Sequence, residues 1–153
     1  MKFDQRNARF NFRSVAVIIR DNHVLLHRLA GDSFWALPGG RVELFEYSDA
    51  TLNRELLEEL GVESVVKRHL WYVESFFEHS GKKIHEIANY FLVQLVESYR
   101  FPMNEVFYGI ETDISLEFKW FSLNDVSDVD LKPDFLRVGL LDLPREIKYI
   151  KVC

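Results

Sequence analysis

Hydrophobic and polar residues alternate along two short segments near the start of the chain. Val15 to Arg20 and His23 to Arg28 are apolar, β-branched or alternating runs, and Asp21-Asn22 separates them. Such a period of two is typical of β-strands, and an Asp or Asn pair between two such runs favours a tight turn. The pattern therefore predicts a β-hairpin.

A second strand-forming region lies in the middle of the chain. Phe34 to Leu37 is a short apolar edge stopped by Pro38-Gly39-Gly40. Val65 to Phe77 then runs to the turn residues His79 to Lys82, and Ile84 to Val96 returns from that turn. Its segment ANYFLVQLV is apolar enough to predict a central strand buried on both faces.

The last third of the chain mixes weak and strong signals. Ser98 to Ser115 has little periodicity and contains Pro, Asn and Gly, so we expect a long loop there. Glu117 to Phe121 alternates as a strand does, and Ser122 to Val126 predicts a short helical turn. Pro133 to Leu141 predicts a terminal helix, with Pro as a first helical residue.

One longer helix has well-marked ends. Ser48 is a suitable N-cap, Asp49 adds negative charge to the first turn, and Gly61 suits a left-handed C-cap, so the helix is predicted over Asp49 to Leu60. With strands before and after it, the chain is predicted to be an α/β or α+β domain around a mixed sheet. Neither a repeat nor a linker interrupts residues 1–153, which we interpret as one domain.

The predicted helix separates leucines from glutamates. At about 100° per residue, the leucines fall on one side and the glutamates on the other, which places Leu56, Leu57 and Leu60 toward the core and Glu55, Glu58 and Glu59 away from it. A solvated acidic face is the common explanation for such a pattern. However, like charges three or four residues apart repel, and acidic residues in a last turn oppose the helix dipole. Converging carboxylates also make an oxygen site suited to Mg²⁺ or Mn²⁺.

Composition and charge narrow the function classes. The net charge of −5 and the scattered Lys and Arg residues disfavour binding to a nucleic-acid backbone. Nothing in the sequence indicates membrane binding, because the polar first residues lack a signal-peptide core and the longest apolar run near them, Val15 to Ile19, is too short for a bilayer. The lone Cys153 fits a reducing compartment, so we expect a cytoplasmic protein, and a homodimer remains open.

The residues around the helix form a recognisable motif. Gly40 is followed after five residues by Glu46 and after seven more by Arg54-Glu55-Leu56, then by Glu58-Glu59 and Gly61-Val62. This spacing resembles, at every fixed position, the signature box of the Nudix hydrolases. The strand ending in Trp35 to Gly40 and the segment Lys119 to Val126 also resemble features that flank the box. The resemblance implies an α/β/α sandwich around a mixed sheet.

The resemblance also implies roles for individual residues. Members of this family hydrolyse a nucleoside diphosphate linked to another group X, by water attack on phosphorus and with divalent cations. Glu55, Glu58, Glu59 and the carbonyl of Gly39 would hold Mg²⁺ or Mn²⁺, and Glu55 and Glu58 would belong to the catalytic set. Four further residues would support the structure of the box. Arg54 and Glu46 would form an ion pair, and Gly40 and Gly61 would be needed for the backbone conformation.

Some relatives take a further acidic residue from outside the box as a metal ligand or general base. Glu86, predicted at the start of a strand, is the first candidate for a catalytic role, with a surface glutamate as the alternative. Glu111 and Asp113, in the predicted long loop, are second candidates. His85 either contacts a phosphate or base or is simply a half-buried strand residue.

The group X is not specified by the sequence. Six aromatic residues are available for stacking on a base, yet each also suits the core: Phe34, Trp35, Trp71, Tyr72, Phe76 and Phe77. Candidate substrates are NTPs or oxidised dNTPs, ADP-ribose and nucleotide sugars. Two alternatives stay open, an isopentenyl-diphosphate-isomerase-like enzyme on the same fold and a nucleotide-sensing domain without hydrolysis. The intact box disfavours both.

Overall fold

The computed structural model describes residues 1–96 and 101–153 and contains one mixed sheet. Its strands are β1 (Lys2–Gln5), β2 (Ala8–Arg20), β3 (His23–Leu29), β4 (Gly39–Arg41), β5 (Ser64–His79), β6 (Lys82–Leu95), β7 (Phe107–Tyr108), β8 (Leu116–Ser122) and β9 (Lys148–Val152). The helices are α1 (Ser48–Leu60), a 3₁₀ turn (Val126–Asp128) and α2 (Leu136–Gly139). No helix in this described part is long and apolar enough to cross a bilayer.

The predicted hairpin is confirmed. β2 and β3 pair antiparallel, with Arg20 opposite His23. Asp21 and Asn22 both have positive φ, at 51° and 59°, which the two-residue turn between twisted strands requires. Asn and Asp adopt this backbone conformation at lower cost than other side chains, so the turn sequence determines the hairpin.

The second predicted strand pair is confirmed as well. β5 and β6 pair antiparallel through the turn at Ser80-Gly81. β6 also pairs parallel with β2, and the main path through the sheet is β7-β8-β3-β2-β6-β5-β9. β1 and β4 both pair with β2 outside this path.

The two faces of the sheet carry separate apolar clusters. On one face, Ala16 and Ile18 of β2 pack with Leu52 and Leu56 of α1. On the other face, β2 contributes Val15 and Val17 to a cluster that includes Leu136 and Leu140 at α2. A mixed sheet with helices on both faces confirms the predicted α+β fold class.

The C-terminal region differs from the prediction in two respects. The terminal helix is four residues long rather than spanning Pro133 to Leu141, because Val138 and Leu141 are exposed at 75% and 55% and give a longer helix nothing to pack on. The chain then continues into β9, which pairs parallel with β5 and which the sequence pattern did not indicate. Apolar and polar residues alternate only weakly along β9. The strand lies at the edge of the sheet, where hydrophobic patterning is a poor indicator of strand structure.

Three smaller differences concern loops and strand ends. The turn predicted over Ser122 to Val126 is a 3₁₀ turn that starts only at Val126. The region predicted as a loop over Ser98 to Ser115 contains the short strand β7, and residues 98–100 of it lie outside the described residues. The polar N-terminus forms β1 and extends β2 back to Ala8, because cross-strand pairing compensates for a weak apolar pattern.

Candidate active site

The first turn of α1 is fixed to the sheet by hydrogen bonds. Ser14 Oγ donates to the carbonyl oxygen of Ser48 at 2.6 Å, and Asn89 Nδ2 donates to Ser48 Oγ at 3.1 Å. Helix α1 begins at Ser48. The extended Tyr47 takes the N-cap position, without a side-chain cap. The predicted N-cap is wrong by one residue, because the Ser48 hydroxyl bonds to the sheet instead of to the helix.

The end of α1 matches the expected geometry. Gly61 has φ 68°, in the left-handed region, and its N–H donates to the carbonyl oxygen of Leu57 at 2.9 Å. A side chain at this position would be strained, which explains the glycine.

The predicted division of α1 into a leucine side and a glutamate side is only partly correct. Leu56 and Leu60 are buried as predicted, but Leu57 is 53% exposed and Glu59 is only 6% exposed. Glu59 is covered because the loop after β7 packs on this side of α1, where Ile110 N–H donates to the carbonyl oxygen of Glu59 at 2.7 Å. An angle along one helix cannot show which neighbouring segments cover it.

Arg54 is the centre of an ion-pair network. Its guanidinium donates two parallel hydrogen bonds to Glu46, from Nε to Oε2 at 2.7 Å and from Nη2 to Oε1 at 3.0 Å. The remaining nitrogen Nη1 reaches Glu55 at 2.9 Å and Glu58 at 3.3 Å. The bidentate contact lowers the pKa of Glu46 to about 2 and raises the pKa of Arg54. Arg54 thus joins the loop before α1 to two box glutamates.

Two further members of this network were not identified from the sequence. Thr51 Oγ1 donates to Glu46 Oε1 at 2.6 Å, and Glu43 Oε1 lies 3.7 Å from Arg54 Nη1. Thr51 precedes Arg54 by three residues, so helix periodicity places the two side chains on one face. This three-residue spacing is the sequence feature that could have indicated Thr51 as a neighbour of Arg54.

Glu55 and Glu59 form a coupled acidic pair on the inner side of α1. Burial, followed by the proximity of Glu55 and Glu111, raises the pKa of Glu59 to about 9. Burial also raises the pKa of Glu55, although the Arg54 guanidinium opposes that shift. Glu59 Oε2 is buried and has no hydrogen-bond partner among the described residues. A buried, unsatisfied carboxyl oxygen is costly unless a ligand completes it.

Gly39 and Gly40, before α1, lie so close to neighbouring atoms that no side chain fits there. A Cβ on Gly40 would lie 2.2 Å from the carboxyl carbon of Glu55, and a Cβ on Gly39 would lie 2.2 Å from the backbone oxygen of Ser14. Both glycines belong to β4, which pairs with β2. The Glu55 side chain therefore packs directly against the backbone of Gly40, and this contact restricts its orientation.

An open cleft lies between Glu58 of α1 and the loop after β7. Its volume is about 470 Å³, and its lining consists of Glu58, Ile110, Glu111, Thr112 and Asp113. The structure thus brings Glu58 together with both loop candidates, and Glu111 is close enough to Glu59 to raise its pKa.

Glu86 lies elsewhere. In β6, Asn89 faces α1, and strand alternation therefore directs Glu86 to the opposite face of the sheet. There Glu86 Oε2 accepts a hydrogen bond from Asn11 Nδ2 at 3.4 Å. His85 is on the α1 face but contacts Phe10 and Phe76. A catalytic role for Glu86 stays a prediction.

The predicted metal ligands fit a cation chemically, although they are not arranged as a cage. Within residues 1–96 and 101–153, no three or more His, Cys, Asp and Glu side chains are arranged to hold a metal ion. Glu58 is directed toward Arg54 rather than toward the coupled pair. The unsatisfied oxygen of Glu59 beside Glu55 is nevertheless the hard, anionic donor that Mg²⁺ or Mn²⁺ prefers.

Comparison with known proteins identifies the family. The sequence model of the NUDIX domain matches residues 11–138, which include the whole box and most of the sheet. The chain belongs to the NUDIX family. The matched residues contain the Arg54 network, the coupled glutamates and the cleft. The resemblance that the box indicated is confirmed.

Individual relatives agree with this assignment. A Mycobacterium tuberculosis protein that carries the name mutator protein MutT4 is 30% identical over 66 residues, which are 43% of this chain and 27% of that protein. A MutT NUDIX hydrolase from Burkholderia pseudomallei is 25% identical, with a TM-score of 0.55 over 75% of this chain and 84% of its own. A UDP-X diphosphatase shares the fold, with 20% identity and a TM-score of 0.62 over 92% of this chain and 66% of its own. The NUDIX chain thus spans about a quarter of the length of the Mycobacterium tuberculosis protein and about two thirds of the length of the UDP-X diphosphatase.

Proposed function

We propose that this chain is a Mg²⁺- or Mn²⁺-dependent hydrolase that cleaves the diphosphate of a nucleoside diphosphate linked to another group X. Family membership supports hydrolysis of phosphoric anhydrides. The observation that carries the proposal is the pair formed by the buried Glu59 and the partly buried Glu55, which has an unsatisfied carboxyl oxygen on a helix held to a glycine loop. A structural core gains nothing from two coupled acids.

The chain's own residues supply orientation and charge. Arg54 holds Glu55 from one side, and Gly40 packs against it from the other, so the carboxyl group has little freedom. A divalent cation bound by Glu55, Glu58 and Glu59, with the Gly39 carbonyl as a further ligand, would neutralise the diphosphate and activate water. Fixing these carboxylates before the substrate binds lowers the cost of reaching the reactive geometry.

A general base is also required, and Glu111 is the best-placed candidate. It lines the open cleft together with Glu58, and its charge reaches Glu59. The hydrogen bond from Ile110 N–H to the Glu59 carbonyl fixes the adjacent backbone at 2.7 Å. A carboxylate at that position can accept a proton from a water molecule at the cleft. Asp113, in the same lining, is the second candidate.

The names of similar proteins support the proposed substrate class. The named relatives include a UDP-X diphosphatase and MutT proteins, which suggests nucleotide sugars and NTPs or oxidised dNTPs, and ADP-ribose belongs in the same set. These substrates share a nucleoside diphosphate and differ in X.

The test is a phosphate-release screen with Mg²⁺ and with Mn²⁺. The panel contains NTPs, oxidised dNTPs, ADP-ribose, dinucleotides and nucleotide sugars, coupled to a phosphatase or pyrophosphatase. Glu59→Gln is run beside the wild type, and Glu63→Gln, an exposed glutamate just after the box, is the matched control. We expect one substrate class to be hydrolysed by the wild type and the control but not by Glu59→Gln. Equal turnover by Glu59→Gln, or a silent panel with metal bound, would overturn the proposal.

A further inference from the structure

A row of polar side chains crosses three strands on the face of the sheet that carries α2. Glu86 of β6 lies opposite Asn11 of β2 on one side and opposite Ser75 of β5 on the other. Asn11 and Ser75 are each 8% exposed, and Glu86 is partly buried. The residues that flank Glu86 along this face of β6, Ile84 and Ala88, are buried and apolar. We call Asn11, Glu86 and Ser75 the polar row.

The hydrogen bonds of the polar row are incomplete. Asn11 Nδ2 donates to Glu86 Oε2 at 3.4 Å, which is longer than an ordinary hydrogen bond between nitrogen and oxygen. Asn11 Oδ1 is buried and has no hydrogen-bond partner among the described residues. Burying polar groups with few partners costs free energy, and apolar side chains would serve a purely structural sheet better. A ligand that completes these bonds accounts for the polar row.

Arg13 lies beside the polar row. It follows Asn11 on the same face of β2 and lies opposite Ala88. Strands are about 4.8 Å apart and residues on one face repeat every 6.6 Å or so, which places the backbones of Arg13 and Glu86 roughly 8 Å apart, within reach of both side chains. In the part of the chain that the structure describes, neither residue forms an ion pair. The two opposite charges therefore face each other across a gap.

Tyr90 lies close to both of these charges. Burial, followed by the charge of Glu86, raises the pKa of Tyr90, and the charge of Arg13 opposes the rise. The carboxylate and the guanidinium thus approach the same phenol without bonding to each other. Tyr90 is only 5% exposed and packs edge-on against Trp71 and Phe135, so its ring is a fixed wall of the gap.

Arg13 also connects the polar row with the box glutamates. It lies opposite Arg41 of β4, whose carbonyl oxygen accepts a hydrogen bond from Arg54 Nη2 at 3.0 Å. Burial and the charge of Glu55 raise the pKa of Glu59, and Arg13 opposes this rise as well. Among the described residues, β4 pairs only with β2 and has no strand on its outer side. A ligand held by the box glutamates can therefore extend past this edge to the polar row.

The charges on either side of the gap define the group that fits between them. A guanidinium donates hydrogen bonds to phosphate oxygens, whereas an ionised carboxylate only accepts hydrogen bonds. A ligand that spans the distance from Arg13 to Glu86 thus needs a phosphate at one end and hydrogen-bond donors at the other. Hydroxyl groups fit better than a base, because Ile84 and Ala88 beside Glu86 offer no ring for stacking.

We propose that Glu86 is a specificity-determining residue that accepts hydrogen bonds from the hydroxyl groups of a sugar, and that Arg13 binds the phosphate next to that sugar. Asn11 orients Glu86 as a positioning residue. This inference rests on the proposed function, because the phosphate belongs to the diphosphate held by the box glutamates. The sugar is either the ribose of the nucleoside or a sugar that forms X, and both present the same hydroxyl chemistry.

The experiment is a calorimetric titration of the full chain with four ligands, which are ATP, 2′,3′-dideoxy-ATP, UDP-glucose and UDP. Ca²⁺ serves as the oxygen-binding cation, so that binding is measured without the ions proposed for turnover. Glu86→Ala is expected to weaken the binding of a hydroxylated ligand about tenfold or more, because hydrogen bonds to a charged group are lost. Arg13→Gln is expected to weaken the binding of all four ligands, since each of them contains the phosphate.

The pattern among the ligands identifies the sugar. If Glu86 binds the ribose, Glu86→Ala weakens ATP, UDP and UDP-glucose but not the dideoxy nucleotide. If Glu86 binds a sugar in X, the same variant weakens UDP-glucose but not UDP. Glu78→Ala is the matched control and should bind all four ligands as the wild type does, because Glu78 is exposed on the neighbouring strand and faces the other side of the sheet.

Folding of the variants is verified by circular dichroism and thermal unfolding. Glu86→Gln, which keeps the size of the side chain, should show a smaller loss in the same direction and replaces Glu86→Ala if that variant is unfolded. The proposal is wrong if the wild type binds none of the ligands or if Glu86→Ala binds all four as the wild type does. It is also wrong if the loss ignores the hydroxyl groups, so that ATP equals its dideoxy analogue and UDP-glucose equals UDP.

These outcomes are distinguishable from failure of the proposed function. A silent phosphate-release screen together with the expected binding pattern would overturn hydrolysis and leave the sugar site. Hydrolysis that is lost in Glu59→Gln, together with unchanged binding by Glu86→Ala, would overturn the sugar site alone.

Discussion

Ile110 donates its backbone N–H to the carbonyl oxygen of Glu59 at 2.7 Å. The bond satisfies a carbonyl group near the end of α1 that has no partner within the helix. It also attaches the loop that carries Glu111 to the box helix. The loop and the box glutamates therefore form one site, although they are separated by about fifty residues in the sequence.

Glu111→Gln is expected to lower kcat by about 10²–10⁴ with little change in KM, because the proton acceptor is lost while the binding groups remain. Steady-state kinetics on the substrate found in the screen provides the measurement. Glu105→Gln, an exposed glutamate earlier in the same region, is the matched control. Unchanged kcat in Glu111→Gln would remove it from the catalytic role and leave Asp113 as the next residue to test.

Glu59→Gln is expected to stabilise the metal-free protein above pH 5. The folded carboxyl keeps its proton up to a pKa of about 9, whereas an unfolded glutamate loses it near a pKa of 4.5. Between these values the unfolded chain binds fewer protons, so the free energy of unfolding of the wild type falls as the pH rises.

Urea unfolding in EDTA at several pH values from 5 to 9 tests this effect. The difference in midpoint between Glu59→Gln and the wild type should grow with pH, and added Mg²⁺ should reduce it by stabilising the wild type. A constant difference across the range would contradict the burial of a protonated Glu59.

Leu56→Ala is expected to destabilise the protein by about 2–5 kcal/mol, since Leu56 is almost fully buried between α1 and the sheet. Leu57→Ala is its matched control, because Leu57 is half exposed and should change stability by only about 0.5 kcal/mol. Chemical denaturation of both variants gives the comparison. Equal losses would mean that α1 is rotated relative to the structure.

His27 should make the protein sensitive to mild acid. Burial, with a smaller contribution from Arg13, lowers the pKa of His27 to about 4 from an ordinary value of 6.5. Below pH 6.5 the unfolded chain binds a proton that the folded chain does not, so stability falls as the pH drops toward 4, by up to about 3 kcal/mol.

The measurement is the urea midpoint of the wild type and of His27→Gln at pH 7.5 and at pH 5. The wild type should lose more stability than His27→Gln between these values. His79→Gln, at the exposed end of the β5–β6 hairpin, should behave as the wild type does. The same loss in His27→Gln would assign the acid sensitivity to other groups.

The hairpins and the box helix were predictable because their signals are local. Asp21 and Asn22 adopt the positive φ of a two-residue turn at lower cost than other side chains do, and Gly61 ends α1 through its own backbone freedom. The edge strands β1 and β9 were not predictable, because their pairing depends on β2 and β5 rather than on their own patterns. Helix α2 was overestimated because its exposed residues mimic an apolar face.

The sequence by itself determined the family, the C-terminal end of α1 and the residues of the box, because spacing along a helix and the chemistry of Gly, Glu and Arg act locally. Only the tertiary structure decided that Glu59 is buried, that Leu57 is exposed, and that Glu111 rather than Glu86 lies beside the box glutamates. Burial and proximity depend on which distant segments pack together. That packing also aligned Phe3, Phe10, His85 and Phe76, which come from four separate strands.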